Sequence, residues 1–136
     1  METVGCHNRS TVKVLVVDDF APFRQVVCSV LRERVLEIYE AADGLEAVQK
    51  AEELKPDLIL LDIGLPGMNG IDAAREIRKV VPEAKIVFVS QESFSDIVQE
   101  ALGLGAAGYV VKARAGEELS TAVESIRLGK QFVSPI

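Results

Sequence analysis

The chain has 136 residues, 49% of them hydrophobic and 26% charged, with a net charge of −6 and a pI near 4.8. That length fits one domain with a real hydrophobic core. The charge argues against direct binding of nucleic acid phosphates, and no apolar run approaches the roughly 18 residues of a membrane span. Cys6 and Cys28 are too few for a disulfide framework or a metal site. Met1 to Ser10 is polar, without the apolar core of a signal peptide, and reads as a disordered leader. The expected compartment is the cytoplasm.

The first element is a strand, Val12 to Val17, ending in Asp18-Asp19. Pro22 suits the first turn of a helix, and Phe23, Val26, Val27, Val30 and Leu31 recur at helical spacing to about Arg34. Leu36 to Ala41 is a second strand. Asp43 can cap a second helix with Leu45, Val48, Ala51 and Leu54 on its inner face, and Lys55-Pro56 stops it. Leu58 to Leu61 is aliphatic without alternation, so it reads as a strand buried on both faces. It ends in Asp62 and runs into a loop, Ile63 to Gly70. Ile71, Ala74, Ile77 and Val81 mark a third helix, ended by Pro82. Ala84 to Ser90 is a fourth strand. Ser93 or Ser95 can cap a fourth helix, closed by Gly103 and Gly105. Gly108 to Lys112 is a fifth strand, Gly116 to Leu128 a fifth helix, and residues 130–136 a tail.

Five strands alternating with five helices predict an α/β fold: a three-layer, flavodoxin-like (βα)5 sandwich around a parallel sheet over residues 11–129. The expected strand order is 2-1-3-4-5. Polar Glu37 and Glu40 place the second strand at one edge, and the short fifth strand suits the other. In such sheets ligands bind at the carboxyl ends of the strands. Neighbouring strands would there end in Asp18-Asp19, Asp62, Ser90 and Lys112. Three carboxylates in one small site repel one another unless a cation compensates. Mg²⁺ suits an oxygen-ligand site shared with a phosphate. Lys112 supplies a positive charge for a phosphoryl oxygen and Ser90 a hydroxyl donor. Each residue also has a plainer reading: Asp19 as a helix cap, Asp62 and Ser90 as loop and turn polar groups, Lys112 as a solvated charge, Tyr109 as packing.

Val16-Val17-Asp18-Asp19, Leu60-Leu61-Asp62 with Leu65-Pro66-Gly67-Met68-Asn69-Gly70, Ser90, and Gly105 through Lys112 together resemble the receiver domain of bacterial two-component response regulators, the CheY-like fold. The resemblance runs from about Val12 to Gly129. It implies that Asp62 accepts a phosphoryl group from a sensor histidine kinase or phosphotransfer protein. Asp19, Asp62 and the Gly64 carbonyl would ligate Mg²⁺, with Asp18 acting mainly through a metal-bound water. Lys112, Ser90 and the Gln91 backbone N–H would hold the phosphoryl oxygens. Ser90 and Tyr109 would form a switch that alters the face of the fourth helix, fifth strand and fifth helix. Such a protein is not a turnover enzyme; it catalyses only its own phosphorylation and dephosphorylation.

Three positions depart from the usual pattern. Gly64 stands where a side chain usually influences water access, Gln91 where a small residue is usual, and Ala113 where many relatives have a cis-proline. A trans bond is expected at Ala113, because cis costs about 2.5–4 kcal/mol there. The segment from Gly129 to Pro135 resembles the exit from receivers of LuxR/NarL-type regulators, which implies transcriptional output through a helix-turn-helix domain. A stand-alone receiver, homodimerisation and a phosphorylation-independent binding module remain open alternatives. An aspartate-nucleophile phosphatase would want a second acid two residues after Asp62, and Gly64 cannot supply one.

Overall fold

The computed structural model describes residues 12–32, 36–91 and 95–134. The leader expected at residues 1–10 and the cap expected at Ser93 lie outside these, as do Arg34 and residues 135–136. The described residues form β1 (Val12–Val17), α1 (Ala21–Leu31), β2 (Leu36–Ala41), α2 (Gly44–Leu54), β3 (Leu58–Leu61), α3 (Gly70–Val80), β4 (Lys85–Ser90), α4 (Ser95–Gly103), β5 (Gly108–Val111), a 3₁₀ turn (Lys112–Arg114), α5 (Ala115–Arg127) and β6 (Phe132–Val133). The sheet order is β2-β1-β3-β4-β5-β6, parallel throughout. The flavodoxin-like order expected for the first five strands is the one found.

The aliphatic strands divide their side chains by parity, as a pleated strand must. Leu15, Val17, Ile59, Leu61, Ile86, Phe88 and Tyr109 face a core shared with Ala47, Ala51, Ile71, Ala74, Ile77, Val98 and Ala101 of α2, α3 and α4. Val14, Val16, Leu58, Leu60, Val87, Val89 and Val110 face the other core, filled by Val27 and Leu31 of α1 and Leu119, Ala122, Val123 and Ile126 of α5. Helices on both faces explain why β3 is apolar at every position and buried along its whole length. No helix among the described residues is long and apolar enough to cross a membrane.

Local signals set the helix ends. Asp43 caps α2, its side chain accepting from the Glu46 N–H at 2.8 Å. Lys55 ends α2 in a left-handed conformation, φ 50°, and Pro56 prevents continuation. Asn69 caps α3 in the same way as Asp43, accepting from Asp72.

Three expectations are corrected. Leu45, expected on the inner face of α2, is exposed at 59%. In α2 the inward positions are Gly44, Ala47 and Ala51. A Cβ on Gly44 would lie 2.4 Å from the Met68 carbonyl oxygen, so only small residues fit against the β3–α3 loop and Leu45 is turned outward. The fifth strand is not the edge. Residues 130–136, expected as a tail, contribute β6, which pairs with β5 through Phe132↔Gly108 and Val133↔Tyr109.

Candidate functional site

The strand ends converge as the topology requires. Asp18 directly follows β1 and Asp62 directly follows β3, and these two strands are neighbours with Val17 opposite Leu61. The Asp18 N–H donates to the Ala41 carbonyl at 3.1 Å and the Asp62 N–H to the Val17 carbonyl at 3.1 Å. The ladder thus continues one residue beyond the strands and fixes both aspartates. Ser90, the last residue of β4, is buried and stands opposite Val111. Lys112 opens the 3₁₀ turn one residue after β5, rather than closing the strand as expected.

Asp18 and Asp62 are buried, Asp19 is exposed, and oxygens of all three lie within 4.8 Å of one another. Lys112 Nζ reaches between the two buried carboxylates, 2.6 Å from Asp18 Oδ2 and 3.3 Å from Asp62 Oδ2. The Lys112 side chain is only 15% exposed, so it is no solvated surface charge. Asp19 does not cap α1; the N-cap position is Phe20, and no side chain caps it. Asp62 Oδ1 accepts from the Gly64 N–H at 3.2 Å, and Asp18 Oδ1 accepts from the Phe20 N–H at 2.9 Å.

Burial pushes the Asp62 carboxyl above its ordinary range. Lys112 pulls it back, the Asp18 charge pushes it further up, and the balance is upward. For Lys112, burial disfavours the ammonium, but the contacts with Asp18 and Asp62 outweigh it, and the group is raised. One ammonium among three carboxylates leaves the cluster short of positive charge. The buried Asp18 Oδ2 is met by the Lys112 ammonium at 2.6 Å, so that one cation is already shared between two acids. A hard divalent cation fits this shortfall: it takes oxygen ligands, and it would compensate the excess charge.

The remaining expected residues are placed as follows. Gly64 is exposed, and a Cβ there would meet nothing within 4 Å. Tyr109 is fully buried beside Phe88, ring centroids 6.4 Å apart. Gln91 is exposed and lines an apolar cleft of about 470 Å³ with Phe20, Pro22, Phe23, Val26 and Lys112. The Lys112–Ala113 bond is trans, as expected.

Sequence reasoning missed three supports. The Phe23 ring lies under Lys112, 4.7 Å from Nζ to the centroid, and steadies the ammonium by a cation–π contact. Arg24 Nη1 donates to the Asp18 carbonyl at 2.6 Å, while its Nε pairs with Glu40 at 2.8 Å. Gly70 lets α3 start against the loop: a Cβ there would fall 2.1 Å from the Asp62 carbonyl oxygen. The Phe23 role depends on a partner distant in sequence, so no local pattern announces it.

The family model for the response regulator receiver domain matches residues 14–124. The chemotaxis protein CheY of Thermotoga maritima is 44% identical over 101 residues, covering 74% of this chain and 84% of that protein. The response regulator protein VraR of Staphylococcus aureus is 34% identical over 127 residues; these are 92% of this chain but 61% of VraR, so the chain spans about three fifths of that relative. A crystal structure of a two-component response regulator of the LuxR family from Aurantimonas sp. SI85-9A1 superposes with a TM-score of 0.87 at 34% identity, covering 93% of this chain and 91% of that one. The strand-end aspartates and the lysine between them fall in or beside strands that the family match spans, and the chain belongs to the response regulator receiver family of two-component systems.

Proposed function

We propose that the domain is a phosphorylation-dependent switch whose phosphoacceptor is Asp62. The observation that carries this reading is Lys112 Nζ held between Asp18 and Asp62, in a site where a third carboxylate, Asp19, completes a cation-binding cluster. The donor would be a phosphohistidine on a sensor kinase or phosphotransfer protein. An Asp62 oxygen attacks phosphorus, the P–O bond forms as the P–N bond breaks, and the leaving imidazole takes the electron pair and then a proton.

Asp19, Asp62 and the Gly64 carbonyl would hold Mg²⁺, with Asp18 acting through a water. The cation supplies charge neutralisation at the transferring phosphoryl group. Lys112 offers a second positive charge to the same oxygens from a low-dielectric position, where it acts more strongly than in water. The Ser90 hydroxyl and the Gln91 N–H complete the donor set. The apolar cleft lined by Phe20, Phe23 and Gln91 opens beside Lys112 and suits the approach of a donor. Modification of Asp62 would draw Ser90 and Tyr109 into a new arrangement and alter the face of α4, β5 and α5. The chain would act only on itself, without turnover of a separate substrate.

Similarity to VraR and to the LuxR-family structure supports a transcriptional output in the cytoplasm, through a helix-turn-helix domain rather than through this acidic segment. Intact-mass spectrometry after incubation with acetyl phosphate and Mg²⁺ tests the core of the proposal. The expected result is one phosphoryl adduct that maps to Asp62 and is lost in Asp62→Asn. An adduct elsewhere, or none from acetyl phosphate or from a phosphorylated kinase, would overturn it.

A further inference from the structure

Four polar or charged residues are buried among the described ones: Asp18, Asp62, Ser90 and Ser134. The first three belong to the site. Ser134 lies beyond β6, on the segment expected to be a tail, and the surrounding structure uses both its backbone N–H and its hydroxyl. The N–H donates to the Tyr109 carbonyl at 2.8 Å. The hydroxyl accepts from the Val111 N–H at 3.0 Å and donates to the Glu118 carboxylate on α5. The approach is close enough to constrain β5 itself: a Cβ on Gly108 would lie 2.7 Å from the Phe132 carbonyl oxygen.

Val111 is the residue before Lys112. Its backbone stands between Ser90 on one side and Ser134 on the other. The peptide unit just before the one that carries Lys112 is therefore held by a serine outside the site. We infer that Ser134 is a positioning residue for Lys112, and that through it the state of the Asp18–Asp62–Lys112 cluster is coupled to β6 and α5. This rests on the reading of the cluster as the phosphoryl-accepting site. A cation there competes with the ammonium for the carboxylates and a phosphoryl group gives it new partners, and the Val111 N–H lies one peptide unit before Lys112. Coupling between two sites is reciprocal, so release of β6 shifts Lys112 as well.

The test uses the whole chain and the variants Ser134→Ala and Ser134→Thr. Three quantities are measured: amide exchange at Val111 with and without Mg²⁺, the rate of Asp62 modification by acetyl phosphate at saturating Mg²⁺, and the Kd for Mg²⁺. In the wild type, Mg²⁺ should change Val111 exchange. In Ser134→Ala that response should vanish, and the modification rate should fall about fivefold, the scale of one missing hydrogen bond. By the same reciprocity the Kd for Mg²⁺ should shift in Ser134→Ala, by the factor that Mg²⁺ changes Val111 protection in the wild type. Ser134→Thr, which keeps the hydroxyl, should restore rate and response.

A wild-type modification rate in Ser134→Ala would overturn the inference, as would Val111 exchange that ignores Mg²⁺ in the wild type. If the wild type takes no phosphoryl group but the Mg²⁺ response at Val111 exists and disappears in Ser134→Ala, the phosphoacceptor reading falls and the positioning role of Ser134 stands.

Discussion

Lys112 serves as the counterion of two buried acids, and replacing it with methionine isolates that role. Lys112→Met keeps an unbranched, polarisable side chain only one atom shorter, able to pack beside the Phe23 ring, so packing is largely preserved. What disappears is the charge 2.6 Å from Asp18 Oδ2 and 3.3 Å from Asp62 Oδ2, on carboxylate side chains only 2% and 8% exposed. Removing one partner of a buried ion pair costs about 3–5 kcal/mol. For a domain of this size that corresponds to a fall of roughly 10–20 °C in Tm. Thermal melts in EDTA should show it. Adding Asp18→Asn should recover much of the deficit, because the second change removes a charge the first left unpaired. Mg²⁺ should then raise the Tm of Lys112→Met more than that of the wild type, since the ammonium no longer competes for the carboxylates. At a hundredfold excess over its Kd the ion contributes about 2.7 kcal/mol. A variant that melts with the wild type, or responds less to Mg²⁺, would refute this account of the site's electrostatics.

Three further outcomes are expected. Asp62→Asn should stabilise the metal-free protein at neutral pH: the folded carboxyl lies above its ordinary value of 3.8, so between the two values the folded state holds more proton, and wild-type stability falls as pH rises through that window. The advantage of the variant in chemical denaturation should therefore be near zero in acid, grow through the window and level off above it. Gly70→Ala should cost at least the roughly 1–3 kcal/mol of an overpacked site and slow modification of Asp62, whereas Gly64→Ala, with open space at its Cβ, should melt within about 0.5 kcal/mol of the wild type. Phe23→Leu should lower stability by about 0.5–2 kcal/mol by removing the cation–π interaction, and the same change in a Lys112→Met background should cost measurably less.

The central strands were legible because burial on both faces demands uninterrupted aliphatic residues, and β1 and β2 begin and end where the sequence places them. The site was legible for a related reason: polar groups at the ends of such runs have few places to go except the sheet's carboxyl edge. The phase of α2 was not. Leu45 and Ala47 both fit a helical period, and the choice between them depends on how closely Met68 approaches Gly44, a tertiary distance. Nor was β6, whose two residues pair through backbone groups and leave no side-chain signature, Val133 being exposed. Phe23 and Arg24 read as ordinary first-helix residues until Lys112 and Asp18 are seen beside them.

The sixth strand also bears on what the sheet can join. A parallel sheet of five strands would end in β5, with the outward N–H of Val111 and the carbonyls of Ala107 and Tyr109 bare. Those groups are instead occupied by Phe132 and Ser134. The new rim is two residues long, too short to template another chain, and the opposite rim, β2, carries exposed Glu37 and Glu40. Both margins thus discourage edge-to-edge growth, one by brevity and the other by charge. A chain shortened to Gly129 would uncover the apolar strand behind the first of these guards, and self-association through β5 is the failure to expect from it.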